Sequence, residues 1–128
     1  MSEYRPGVCN IGRDERRKRR TAGALSFLAA AAYVGFVLAT GRPAGLLLGA
    51  FPFLFGGFVG VVQDRMGFCV AFGALARYDL SGSGGDAGSI DDADAVKQDR
   101  IRAFQVFAVA MAASIVTTMV VYGVGAAL

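Results

Sequence analysis

Three stretches of this chain contain no Asp, Glu, Lys or Arg: residues 21–41, 43–63 and 103–128. At about 1.5 Å per residue, roughly 20 helical residues cover the roughly 30 Å hydrocarbon core of a bilayer, so each run is long enough to cross one. Buried helices of a water-soluble protein would carry a polar face, and these runs have none. Of 128 residues, 55% are hydrophobic and 18% charged, and a chain this short buries the smallest share of its surface on folding. The expected fold is therefore an all-α integral membrane protein with three transmembrane helices, a helical hairpin followed by a third helix.

Cations near the helix ends set the expected orientation. Residues 1–20 carry Arg5, Arg13, Arg16, Arg17, Lys18, Arg19 and Arg20, while the loop between the first two runs holds only Arg42. The N-terminus is thus expected in the cytoplasm and the C-terminus outside, in a multi-pass protein of the cytoplasmic membrane. Arg65, Arg77, Lys97, Arg100 and Arg102 place the second loop on the same side as the N-terminus, and its acidic residues weigh little in this rule. A cleaved signal is not expected, because the first apolar run exceeds a signal core and Ser26-Phe27-Leu28 lies too far from Arg19-Arg20 for a twin-arginine pattern. The basic segment reads as a topology anchor that attracts anionic headgroups, not as a nucleic-acid site.

The chain then divides into a basic cytoplasmic segment (1–20), a transmembrane hairpin (21–63), an interfacial cytoplasmic segment (64–80), a flexible acidic linker (81–100) and a third transmembrane helix (101–128). Residues 66–76 are uncharged but too short to span, so they should lie at the interface or tuck between helices. Ser, Gly and Asp dominate residues 81–94, which have little to bury. The run 82–87 only loosely mimics a dinucleotide fingerprint and lacks a preceding strand. Residues 89–92 are placed to cap a short helix leading into the third span.

On the second helix, Gly45, Gly49, Pro52, Gly56, Gly60, Gln63 and Gly67 fall within a sector about 80° wide. Small residues let helix backbones approach closely in lipid, so this stripe is expected to hold helices of the chain together or to build a homo-oligomer. Pro52 removes one backbone hydrogen bond, is expected to bend the helix, and leaves the Leu48 carbonyl open to another donor. Ala103, Ala110, Ser114, Thr117 and Gly125 form a weaker face on the third helix. No ionisable side chain lies inside a span, which disfavours a proton-coupled transporter.

His is absent, which removes imidazole catalysis, and two cysteines cannot make a four-thiolate metal site within one chain. No cofactor, metal or catalysis of its own is expected. Cys9 precedes the first helix and Cys69 follows the second, so a hairpin brings both thiols to one membrane surface. Arginines downstream of Cys9 favour a thiolate, the form that attacks sulfur. Equally, Cys69 can be a small apolar residue between Phe68 and Val70, and Cys9 incidental.

Asn10, Gly12, Glu15, Arg16, Arg19 and Gly23 stand in the spacing N-x-G-x-x-[DE]-R-x-x-R-x-x-x-G, with Gly67-Phe68-Cys69 downstream. Over about residues 9–80 the chain resembles the YgaP-like transmembrane domain, a small helical-hairpin family found alone or attached to membrane-bound rhodanese sulfurtransferases. Gly12 would then allow a tight turn, with Arg16 and Arg19 one turn apart at the membrane surface. The family pattern G-x-C-P-x-Y is met here by Val70 in place of Pro and Phe72 in place of Tyr. The resemblance implies thiol or sulfur handling with a sulfurtransferase partner. The favoured functional expectation, from the helix-packing stripes, is an accessory subunit that docks into a membrane assembly; the alternative, from the resemblance, is a module in which Cys69, with or without Cys9, passes a persulfide or small sulfur species.

Overall fold

A computed structural model describes residues 3–128. It is mostly helical, and three helices, Arg13–Ala39, Ala44–Met66 and Ala93–Ala127, are long and apolar enough to cross a membrane. The first is α1 (Arg13–Ala39), which starts at Gly12 with Asp14 and Glu15 in its first turn, where carboxylates face the positive end of the helix dipole. It ends at Thr40, whose hydroxyl donates to the Phe36 carbonyl at 2.7 Å. Gly41 follows in the left-handed region (φ 64°), and Pro43 opens the return.

The return rod begins as a 3-10 helix over Ala44–Ala50 and continues as α2 (Phe51–Met66). Pro52 is exposed and sits in the first turn of α2, a position that needs no N–H, where the helix type changes. The Leu48 carbonyl finds its donor in the Phe51 N–H.

The glycine stripe is used inside the chain. A methyl group at Gly60 would lie 2.5 Å from the Arg19 carbonyl oxygen and 2.7 Å from Gly23 Cα, so α1 and α2 meet backbone to backbone there. Gly56 lies under the Ser26 hydroxyl, which donates to the Phe53 carbonyl at 2.6 Å. Gly49 lies under the Tyr33 hydroxyl, which donates to the Leu46 carbonyl at 2.6 Å. Gly57, outside the stripe, receives the Phe27 ring, which meets Phe58 edge-on at 5.0 Å. Gly45 faces open space. Ala30, Ala50 and Leu54 fill the seam.

After Gly67, which caps α2 at φ 63°, come the short helix α3 (Val70–Ala74) and an antiparallel ribbon, β1 (Arg77–Asp79) and β2 (Ala87–Ser89), with Tyr78 opposite Gly88. The fold is thus not purely helical. The segment 81–100, expected as a linker, holds a 3-10 turn (Ser81–Ser83), β2 and the first turns of α4 (Ala93–Ala127). Buried Leu80 anchors it, flanked by bonds from its own N–H to the Asp86 carbonyl (2.7 Å) and from the Gly85 N–H to the Leu80 carbonyl (2.9 Å).

Asp92 caps α4 by accepting from the Ala95 N–H at 3.2 Å. The helix runs unbroken for 35 residues, about 52 Å, so its charged start extends beyond the hydrocarbon thickness. It packs on the second rod through Ala103, Val106, Ala110, Ser114 and Thr118. Thr118, four residues after Ser114, takes the inward place expected of Thr117, and both hydroxyls donate to carbonyls four residues back. Phe107 meets Phe55 at 5.6 Å, and Gly125 accepts the Leu47 side chain. The outward side of the helices is apolar, with Leu25, Leu28, Phe104, Val116 and Val120 all exposed. A surface of that kind fits lipid, not water.

Candidate functional site: a thiol under an arginine

The site lies where the N-terminal segment crosses the end of α2. Asn10 is fully buried, and its backbone bridges two loops: its N–H donates to the Gly67 carbonyl at 3.2 Å, and its carbonyl accepts from the Asp79 N–H at 2.8 Å. Its side chain clamps Cys69 from both sides. Oδ1 accepts from the Cys69 N–H at 2.7 Å and Nδ2 donates to the Cys69 carbonyl at 3.1 Å. Gln63 completes the cradle by accepting from the Val70 N–H at 2.9 Å.

With its backbone held, Cys69 turns Sγ toward α1. Arg19 Nη2 donates to that sulfur at 3.1 Å, and Arg19 is aimed by Glu15, which accepts from Nη1 with its side chain at 2.6 Å and its carbonyl at 2.9 Å. The Phe72 ring lies 5.5 Å from the guanidinium carbon. A guanidinium donating to sulfur in a closed setting is a charge-assisted contact. Cys69 is 4% exposed. Cys9 is also buried, but its Sγ points to the Ile11 carbonyl at 3.4 Å. The two thiols therefore belong to one cluster with different partners.

Of the motif residues, Asn10, Glu15 and Arg19 build this cluster, and the others make separate contacts. Gly12 is extended (φ −91°, ψ −170°), so it makes no tight turn; it caps α1 and its N–H donates to the Asp79 carbonyl at 2.9 Å. Arg16 faces away from Cys69: its Nε donates to the Asp64 carbonyl at 2.8 Å. Gly23 provides the close approach to Gly60, and Gly67 turns the chain into Phe68, which buries itself against Ala103 and Val106. Gly45, Gly49, Pro52, Gly56 and Gly60 lie elsewhere, along the hairpin.

Sequence reasoning missed the latch that closes the site. Asp99 on α4 is fully buried and accepts from the Tyr4 hydroxyl at 2.5 Å and the Gly7 N–H at 2.7 Å. Burial, together with the Asp99 carboxylate, pushes the Tyr4 phenol well above its ordinary range, so it stays a donor. The Tyr4 ring packs on Tyr78 at 5.0 Å. The one available signal was an acidic residue in an otherwise helical approach to an apolar run. No protein-family model, curated protein or solved structure matches the chain.

Proposed function

We propose that the protein is a small multi-pass protein of the cytoplasmic membrane, N-terminus inside, that carries sulfur on Cys69 as a thiol module without catalysis of its own. The observation that carries this reading is the Arg19 guanidinium donating to a Cys69 sulfur whose backbone Asn10 holds on both sides. The resemblance to the YgaP-like domain supports the same chemistry and a rhodanese-type donor, and the distribution of Arg and Lys supports the orientation. In the transfer, the Cys69 thiolate attacks the outer sulfur of a partner's persulfide. The donor's S–S bond breaks, its cysteine leaves as a thiolate, and Cys69 becomes the persulfide. Attack by an acceptor thiolate on the outer sulfur of that persulfide restores Cys69.

The test uses the full chain in lipid vesicles, a small-molecule persulfide as donor, and peptide mass to locate the sulfur. Cys69 should gain one sulfur atom, and Arg19→Gln should slow the gain about tenfold, as expected for loss of a charge-assisted bond. Absence of sulfur on Cys69, or an equal gain on Cys9, refutes the reading.

A second reading, an accessory subunit docking through helix packing, is favoured by a different observation. Val96, Ile101 and Phe104 form an open, largely apolar surface on the charged start of α4, flanked by Lys97 and Arg100. The glycine stripe is covered by α1, so docking would use this face of α4. Ile101→Glu should then release whatever co-purifies in mild detergent, and unchanged co-purification refutes it.

A further inference from the structure

One face of α1 plays no part in the thiol cluster. Arg13, Arg16, Arg17 and Arg20 follow the three-and-four spacing that stacks side chains on one side of a helix. With Asp64 from α2 they line a cavity of 340 Å³. Of the residues that line it, four are arginine and one is a carboxylate. Asp64 pairs with two of the arginines: its carboxylate lies 3.5 Å from Arg16 and 4.0 Å from Arg20. The neighbouring Lys18 turns away and donates to Glu15 at 3.2 Å, so every cation that lines the cavity is an arginine. Arginine's planar fork matches phosphate oxygens in pairs, which a lysine ammonium cannot do. The uncharged run begins at residue 21, directly after Arg20, which puts the cavity at headgroup depth in a chain that spans a bilayer.

We infer that this cavity binds one phosphate group, and that its depth makes the phosphate of an anionic lipid headgroup the occupant. The site takes the phosphate between the Arg17 and Arg20 side chains, while Arg16 and Asp64 tie the two helices together beneath it. This is a single binding site, distinct from the diffuse attraction of a basic segment to a charged surface.

The experiment is native mass spectrometry of the full chain released from nanodiscs that contain phosphatidylcholine with a minor share of phosphatidylglycerol. Wild type should retain one phosphatidylglycerol. Arg17→Gln/Arg20→Gln should lower the retained fraction about tenfold or more, from about 1 kcal/mol per cation removed. Arg5→Gln/Arg77→Gln changes net charge equally but leaves the cavity intact, and should retain lipid as wild type does. Asp64→Asn keeps the backbone carbonyl that Arg16 uses and should raise retention, so the site is tested by a gain as well as a loss. Inorganic phosphate at millimolar concentration, added to wild type, separates the sources. Failure to displace the lipid assigns the site to headgroups, and full displacement assigns it to free phosphate. Equal retention by wild type and Arg17→Gln/Arg20→Gln, or an equal loss in Arg5→Gln/Arg77→Gln, overturns the inference.

Discussion

Asn10 shows how much one side chain can organise in a buried setting. It makes both side-chain bonds to a single residue, Cys69, and neither group has water to fall back on. Asn10→Ala would leave the Cys69 N–H without a partner, costing about 2–3 kcal/mol. A lower melting temperature in detergent and faster thiol alkylation of Cys69 are the expected readouts; an unchanged melt would show that the clamp is dispensable. Asp79 offers a milder case at the surface. The Ser81 hydroxyl (2.7 Å) and N–H (3.1 Å) donate to its carboxylate and hold its pKa below the usual aspartate range. A depressed folded value contributes stability that is complete above the ordinary aspartate pKa and fades as pH falls through the folded one. Hydrogen exchange at the Ser81 amide should therefore lose protection only on strong acidification, and Asp79→Asn should remove that pH dependence.

Among the elements, the hairpin of α1 and the second rod depends on absent side chains more than on present ones. A Cβ at Gly60 meets backbone on α1 that cannot rotate away, whereas one at Gly45 meets nothing within 4 Å. Gly60→Ala should thus cost about 1–3 kcal/mol by overpacking, and Gly45→Ala should stay within about 0.5 kcal/mol of wild type. Comparison of the two in a detergent unfolding series checks this, and equal costs would contradict the packing. The periodicity of the stripe was legible from spacing alone. Its partner was not, because glycine spacing says how close a backbone can come without naming which backbone comes. For the same reason Gly57, one residue off the stripe, went unnoticed until the Phe27 ring was seen against it.

For the whole molecule, the cluster at one end is a small folded cap on three long helices. The N-terminal segment, α3, the ribbon and the start of α4 meet there, and Asp99 fastens the segment through Tyr4 and Gly7. Because Cys69 is 4% exposed, a thiol reagent should reach it only when this cap opens. Tyr4→Phe removes one of the two bonds that Asp99 receives and leaves a buried carboxylate short of a donor. Alkylation of Cys69 should accelerate in this variant while overall helicity stays unchanged, and an unaltered rate would show that the latch does not govern access.

The three charge-free runs alone determined that α1, the second rod and α4 each contain an apolar stretch of bilayer length, since a chain in lipid must pair its backbone groups within a helix. The motif spacing also marked Asn10, Glu15, Arg19 and Cys69 as residues of interest. Only the tertiary structure decided that Arg19 reaches Cys69 while Arg16 turns to Asp64, that residues 81–100 form a ribbon and a helix start, and that Asp99 is buried. The arginine and aspartate contacts rest on partners dozens of positions away, and the strand at 87–89 on one about ten positions back. Short polar segments carry no periodic signal of their own, and their conformation is set by the hydrogen bonds that distant backbone supplies.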